Sequence, residues 1–331
     1  MKTFATALLF VALTAACGDG GETTKDISIA VIPKGTTHVF WQSIHAGANK
    51  AAKEAGVTIY WMGPEKEDDR RQQISLVDNQ VMKGVSGIVL APLDSKALRR
   101  PVEDAHRRGV PTVVIDSDLD DAEDFTVGFV ATDNYQGGKL AGERLAELIG
   151  GEGRVVLLRY MEGSASTEKR ERGFLDAIAE YPNVEVVSEE QYGGATTSSA
   201  QQAAENLLLR FKDDEGGVAF DGVFTPNEST TYGMLQALRR VRLAGAVRFV
   251  GFDASEPLID ALRADEIDGL VTQNPFKMGY LGVKTMVAHL KGEKIERRVD
   301  TGVKLATKEN LESEEIQALV NPDLDKWLNV E

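Results

Sequence analysis

His38, Phe40 and Trp41 stand close together early in the chain, between a short apolar run and an amphipathic segment. Loops at the carboxyl ends of parallel strands are where open α/β sheets bind ligands, so these rings are candidates for a binding wall. They could equally be a packed helix entry. Two carboxylates hold related places: Asp116 directly follows VVI, and Asp253 directly follows VGF. Catalytic signals are weak beside these. There is no G-x-S-x-G elbow and no Walker loop, and the glycine-rich stretch at Gly150 to Gly153 precedes a strand where a dinucleotide fingerprint would follow one. His38, His45, His106 and His289 have no metal-ligand spacing. Asp116, Asp118 and Asp120 match the opening of a calcium loop, but Asp121 and Val127 stand where glycine and glutamate are needed, so a solvated acidic loop is expected. Neither a metal nor a cofactor is expected.

The elements that must position these residues alternate. Ile27, Ile29, Val31 and Ile32 form a β-branched run that suits a strand covered on both faces, stopped by Pro33, Lys34 and Gly35. A helix then begins near Phe40, with Ile44, Ala48, Ala51, Ala52 and Ala55 on its apolar face and Gly56 as its stop. Strand and helix alternate on to Phe252, with helices at Asp94 to Gly109 and Thr167 to Glu180 among them. This pattern predicts doubly wound parallel sheets. SGIVLAP, a helix ending in Arg107-Arg108, and VPTVVIDS mirror DGVFTPN, a helix ending in Arg239-Arg240, and VRFVGFDAS. Two lobes of one design, with a cleft between them, follow from that repeat. The remainder, including a strand at Val299 to Leu305, is too short for a third lobe. The chain should therefore cross between lobes near Thr132, Thr272 and Thr301, making a hinge.

Composition narrows the function. The chain has 331 residues, 42% hydrophobic and 27% charged, with a formal charge of -15. That is room for two domains, and the acidity argues against a nucleic-acid partner. Lys2, the apolar stretch Ala5 to Leu13 and the small residues Thr14-Ala15-Ala16 read as an export signal, followed by Cys17, the only cysteine. This segment resembles a bacterial lipoprotein signal, in which the cysteine is lipidated, although Leu13 stands one place early. Ordinary cleavage that leaves a free thiol is the alternative. Gly18 to Lys25 would be a flexible tether.

A family resemblance covers nearly all of the chain after the signal. Phe40-Trp41, VVIDSD, ATDNYQGGKLAGE, RERGF, DGVFTPNE, VGFDAS and Gln273 occur in one order and at comparable spacing to the type I periplasmic sugar-binding proteins of ABC importers. That group contains the ribose-binding protein and shares its fold with the ligand-binding core of LacI-type repressors. The resemblance implies an α/β fold of two doubly wound parallel-sheet lobes joined by a multi-strand hinge. In this sequence the parts would be residues 1–17 as signal, 18–25 as tether, 26–132 plus 273–300 as one lobe, 133–272 plus 301–310 as the other, and 311–331 as a C-terminal extension. It also implies a receptor that closes on a monosaccharide or related polyol and hands it to an ABC permease in the cytoplasmic membrane. The protein would be exported, lipid-anchored in the cell envelope and monomeric.

Carried over residue by residue, the ligand contacts of the family fall on Phe40, Trp41, Asp116, Arg170, Asn227, Asp253 and Gln273. The residue types suit a sugar, whose C–H faces stack on rings and whose hydroxyls pair with carboxylates, amides and a guanidinium. Three features depart from the ribose binders: Ser117 stands where they have arginine, His38 where they have asparagine, and the stretch Tyr192 to Thr196, YGGAT, has no clear aromatic at the second stacking position. Serine at that place would leave room for a ligand bulkier than ribose, and His38 would change its state near neutral pH. Two alternatives compete with transport: a carbohydrate-active enzyme using cleft carboxylates, and a sensor passing its closed form to a membrane receptor. A transcription regulator would need a basic helix-turn-helix where the export signal lies.

Overall fold

The computed structural model describes residues 26–328, so the signal segment, Cys17 and the expected tether lie outside the described residues. The first lobe is built from β1 (Ser28–Ile32), α1 (Val39–Ala55), β2 (Thr58–Trp61), α2 (Arg70–Lys83), β3 (Gly87–Leu90), α3 (Arg99–Arg107), β4 (Thr112–Ile115) and β5 (Gly128–Ala131). Its β1, β3 and β4 are β-branched and buried along nearly their whole length, as expected of strands covered on both faces. The second lobe follows with α4 (Asn134–Leu148), β6 (Glu152–Arg159), α5 (Ala165–Ile178), β7 (Asn183–Tyr192), α6 (Thr197–Arg210), β8 (Gly222–Phe224), α7 (Glu228–Val241), β9 (Arg248–Phe252), α8 (Glu256–Arg263) and β10 (Gly269–Gln273). Then come α9 (Pro275–Leu290), β11 (Arg298–Asp300), β12 (Val303–Ala306), α10 (Glu314–Val320) and α11 (Asp325–Leu328).

Two six-stranded sheets result, ordered β11-β5-β4-β3-β1-β2 and β12-β10-β9-β8-β6-β7. All pairings are parallel except β10 with β12. The fold class read from the sequence is therefore observed, with apolar cores on both faces of each sheet. No helix among the described residues is long and apolar enough to cross a membrane.

Two local readings change. The stretch Val299 to Leu305, expected as one strand, is two short strands in different sheets, because the chain crosses between lobes at Thr301 and Gly302. The helix expected from Asp94 begins only at Arg99, where Pro101 sits in the first turn; the lost amide is tolerated there and not further inside. The other two crossings lie at Thr132 to Asp133 and at Asn274. They are tied together by Thr132 Oγ1 against Thr301 Oγ1 at 3.4 Å and by Thr272 Oγ1 donating to Lys304 O at 3.1 Å. After each crossing the next helix covers the sheet ahead: α4 packs on β8, β9 and β10, and α9 on β3, β4 and β5. The C-terminal residues also divide. Leu311 and Ile316 are in the core of the second lobe, whereas α11 returns to α1, where Asn49 Nδ2 donates to Trp327 O at 2.8 Å.

Candidate functional site

The carboxyl ends of both sheets face one cleft, and the residues that reach it come from loops directly after strands or from the first turns of helices. Asp116 follows β4 with φ 63°, and Asp253 follows β9 with φ 69°. A left-handed backbone is uncommon outside glycine, and Asp is among the residues that tolerate it. Asp116 is buried and pairs through Oδ2 with Lys34 Nζ at 2.9 Å, while Lys34 also donates to Ser166 Oγ of the other lobe at 3.0 Å. Asp253 accepts from Gln273 Nε2 at 2.6 Å through Oδ1 and from Glu228 N at 3.1 Å through Oδ2. Burial pushes the Asp253 carboxyl up to about 6, against the opposing pull of Arg170 and Gln273.

Arg170 lies in the second turn of α5, buried, and its backbone is fixed by a close helix contact. A Cβ on Gly138 of α4 would stand 1.9 Å from Arg170 O, so only glycine allows this approach. Its guanidinium donates to Asn134 Oδ1 at 2.8 Å and to Pro226 O at 2.9 Å, lies over the Phe252 ring at 3.9 Å, and comes within 4.0 Å of Asp253 Oδ2. Burial lowers its pKa, with Asp253 and Asp116 opposing. An arginine in that setting remains charged. Asn227 caps α7, its Oδ1 accepting from Thr230 Oγ1 at 2.6 Å, and it lines the cleft as well.

Phe40 and Trp41 meet edge to face at 4.9 Å on the first turn of α1. Trp41 Nε1 donates to Glu67 Oε1 at 2.7 Å, and Tyr160 OH donates to Glu67 Oε2 at 2.8 Å. His38, at the N-cap of α1, lies 3.5 Å from Glu228 and 3.8 Å from Glu67. Its pKa is raised to about 9, first by the hydrogen-bonding Glu228 carboxylate, against burial and with help from Glu67 and Asp253. The expectation that His38 changes state near neutrality is thus corrected: carboxylates from both lobes hold it charged.

The cleft brings together His38, Phe40, Trp41, Asp116, Arg170, Asn227, Asp253 and Gln273. Ser117 does not line it. Its side chain is buried behind Asp116, and its Oγ accepts from Ser166 N at 3.1 Å. The expectation of free room beside Asp116 is corrected too, because the Lys34 ammonium stands against that carboxylate. Lys34, Glu67, Tyr160, Ser164 and Glu228 line the cleft without having been singled out in the sequence. The available signal was position alone: Lys34 and Tyr160 follow strand ends, and Glu67 lies between β2 and α2. Ser164 Oγ and Gln273 Oε1, both buried at the cleft wall, have no hydrogen-bond partner among the described residues. The lobes also touch at the rim. Ser95 N donates to Gly163 O at 3.0 Å, Arg70 Nη2 to Glu162 O at 2.8 Å, and Lys169 Nζ pairs with Asp118 at 3.0 Å.

Residues 29–294 match the model of the periplasmic binding protein domain. The chain is 26% identical over 309 residues to the ribose import binding protein of Escherichia coli K12, covering 93% of this chain and 99% of that one. Among solved structures, a carbohydrate transporter solute-binding protein from Agrobacterium radiobacter, in complex with D-arabinose, is 36% identical with a TM-score of 0.84, covering 90% of this chain and 100% of that one. An ABC transporter solute-binding protein from Agrobacterium vitis with bound D-fucose is 32% identical, again with a TM-score of 0.84, covering 88% and 99%.

Proposed function

Since the chain belongs to the periplasmic binding protein family, we propose that it is an exported receptor whose lobes close on a neutral monosaccharide or polyol and present it to an ABC-type importer. The observation that carries this reading is the pairing of Asp116 and Asp253, one from each lobe, across a cleft walled by Phe40 and Trp41. Rings for a C–H face and fixed carboxylates, amides and a guanidinium for hydroxyls suit a ring of alternating polar and apolar edges. Arg170, Asn227, Asp253 and Gln273 are the proposed contacts on the second lobe, and Phe40, Trp41, His38 and Asp116 those on the first. The unpartnered Ser164 Oγ and Gln273 Oε1 add one hydroxyl and one carbonyl acceptor. A binding role is favoured over hydrolysis because both acids are already held by partners, Asp116 by Lys34 and Asp253 by Gln273 and a backbone amide. The receptor acts as a monomer anchored through a lipid on Cys17.

The test is a thermal-shift panel of pentoses, hexoses, amino sugars and polyols at fixed concentration, followed by calorimetry of the best. A ligand that binds the folded form raises the melting temperature according to its affinity. A neutral sugar or polyol should give the largest shift. No shift from any of them, or the largest from an anionic or amino sugar, would sink the proposal. Lys34 sets the expected order. A compact ammonium offers no planar fork, so ribose is not expected to lead the panel.

A further inference from the structure

Glu67 spends both carboxylate oxygens inside the cleft. Oε1 accepts from the indole N–H of Trp41 on its own lobe, and Oε2 from the phenol of Tyr160 on the other. We infer that Glu67 is a positioning residue for ligand binding: it fixes the plane of the Trp41 ring and, through Tyr160, ties that ring to the opposite lobe when the cleft closes. The inference rests on the reading of the cleft as a sugar site.

Three features support it. An indole beside a T-shaped neighbour can pack in either of two flipped orientations of similar shape, and a carboxylate at 2.7 Å from Nε1 selects one. Tyr160 is fully buried, and burial first, then the Glu67 charge, holds its hydroxyl well above the usual pKa, so it remains a donor. Gly35, in the loop after β1, makes space for this carboxylate: a Cβ there would stand 2.9 Å from Glu67 Cγ and 3.5 Å from Trp41 Nε1. Two segments distant in sequence, Gly35 to Trp41 and Tyr160, therefore converge on the Glu67 side chain. The cleft wall and the lobe contact share it.

Four variants separate the two roles. Glu67→Ala removes both bonds, Tyr160→Phe removes only the bond between lobes, Gly35→Ala displaces the carboxylate, and Glu67→Gln keeps an acceptor for the indole. Proteins labelled with 5-fluorotryptophan give a ¹⁹F signal for Trp41, assigned through Trp41→Phe. In the ligand-free protein that signal should move in Glu67→Ala and Gly35→Ala and stay in Tyr160→Phe and Glu67→Gln. Dissociation of the best binder among D-ribose, D-arabinose and D-fucose should be about tenfold faster in Glu67→Ala and in Tyr160→Phe. Combined, the two should be no more than about twofold faster than Glu67→Ala alone, since they break one shared connection. A Trp41 signal unmoved by Glu67→Ala, or rate effects that multiply, would overturn the inference. If the wild-type protein binds none of the three sugars, the sugar reading fails for them, while the ligand-free ¹⁹F comparison still decides the hold of Glu67 on the indole.

Discussion

Asp116 and Asp253 are counterparts that differ only in their company. Each follows a central strand of its lobe with a left-handed backbone, and each donates its amide to the next strand, Asp116 N to Val130 O at 3.1 Å and Asp253 N to Val271 O at 2.8 Å. The repeat fixes where the two carboxylates stand. The neighbours differ: an ammonium touches Asp116, whereas the guanidinium near Asp253 is 4.0 Å away and committed to two other acceptors.

Replacing Asp253 or Arg170 by alanine should weaken sugar binding by about 2 to 4 kcal/mol, because each change leaves buried partners unsatisfied and removes a charge-assisted bond. Both variants should still fold. An affinity within twofold of wild type by calorimetry, for either one, removes that residue from the binding role.

The raised pKa of Asp253 gives a pH dependence of defined sign. Between about 4 and about 6 the folded protein holds a proton that the unfolded chain releases, so this group lowers stability as pH rises through that window. Asp253→Asn should therefore gain in melting temperature relative to wild type at pH 7, and the gap should close toward pH 4. A gap independent of pH would contradict this.

His38 changes stability in the same direction, but over a higher range of pH. Its pKa is raised to about 9 by Glu228 and Glu67, so its contribution to stability is complete below about 6.5 and is lost as pH climbs through about 9. Melting temperatures of wild type and His38→Gln should converge between pH 7 and pH 10. Parallel curves over that range would show that the imidazolium contributes nothing.

Small-angle scattering should show a smaller radius of gyration with saturating sugar than without it, since the contacts of Lys34 with Ser166 and of Lys169 with Asp118 can form only when the lobes meet. Equal radii would count against hinge closure.

Cys17 should carry the anchor. Membrane fractionation and mass spectrometry of the first residue should find an acylated cysteine, and Cys17→Ser should be released or left unprocessed. A soluble wild-type protein without acyl mass refutes the anchor.

Much of this was legible in the chain. β-branched runs alternating with amphipathic segments specify strand and helix, and the duplicated strand-end acids point to two lobes. Ser117 misled because it is adjacent to Asp116 in sequence: the turn after β4 sends the two side chains to different sides, one into the cleft and one behind it. Lys34 reads as punctuation after a strand, since nothing local reveals that its ammonium meets an acid from a distant turn. Glu67 and Tyr160 escaped for the same reason, being joined only when the lobes come together. The split of Val299 to Leu305 is invisible to propensity, because both halves are extended and only the sheet they join differs.

The division of the C-terminal residues limits how far the molecule can yawn. With α10 seated on one lobe and α11 on the other, the link Asn321 to Leu324 is a leash of four residues, which fully drawn out reaches about 13 to 14 Å. At that flank the gape stops where the leash goes taut, unless the short helix bearing Trp327 lets go of Asn49. A wide gape and a docked tail are therefore mutually exclusive.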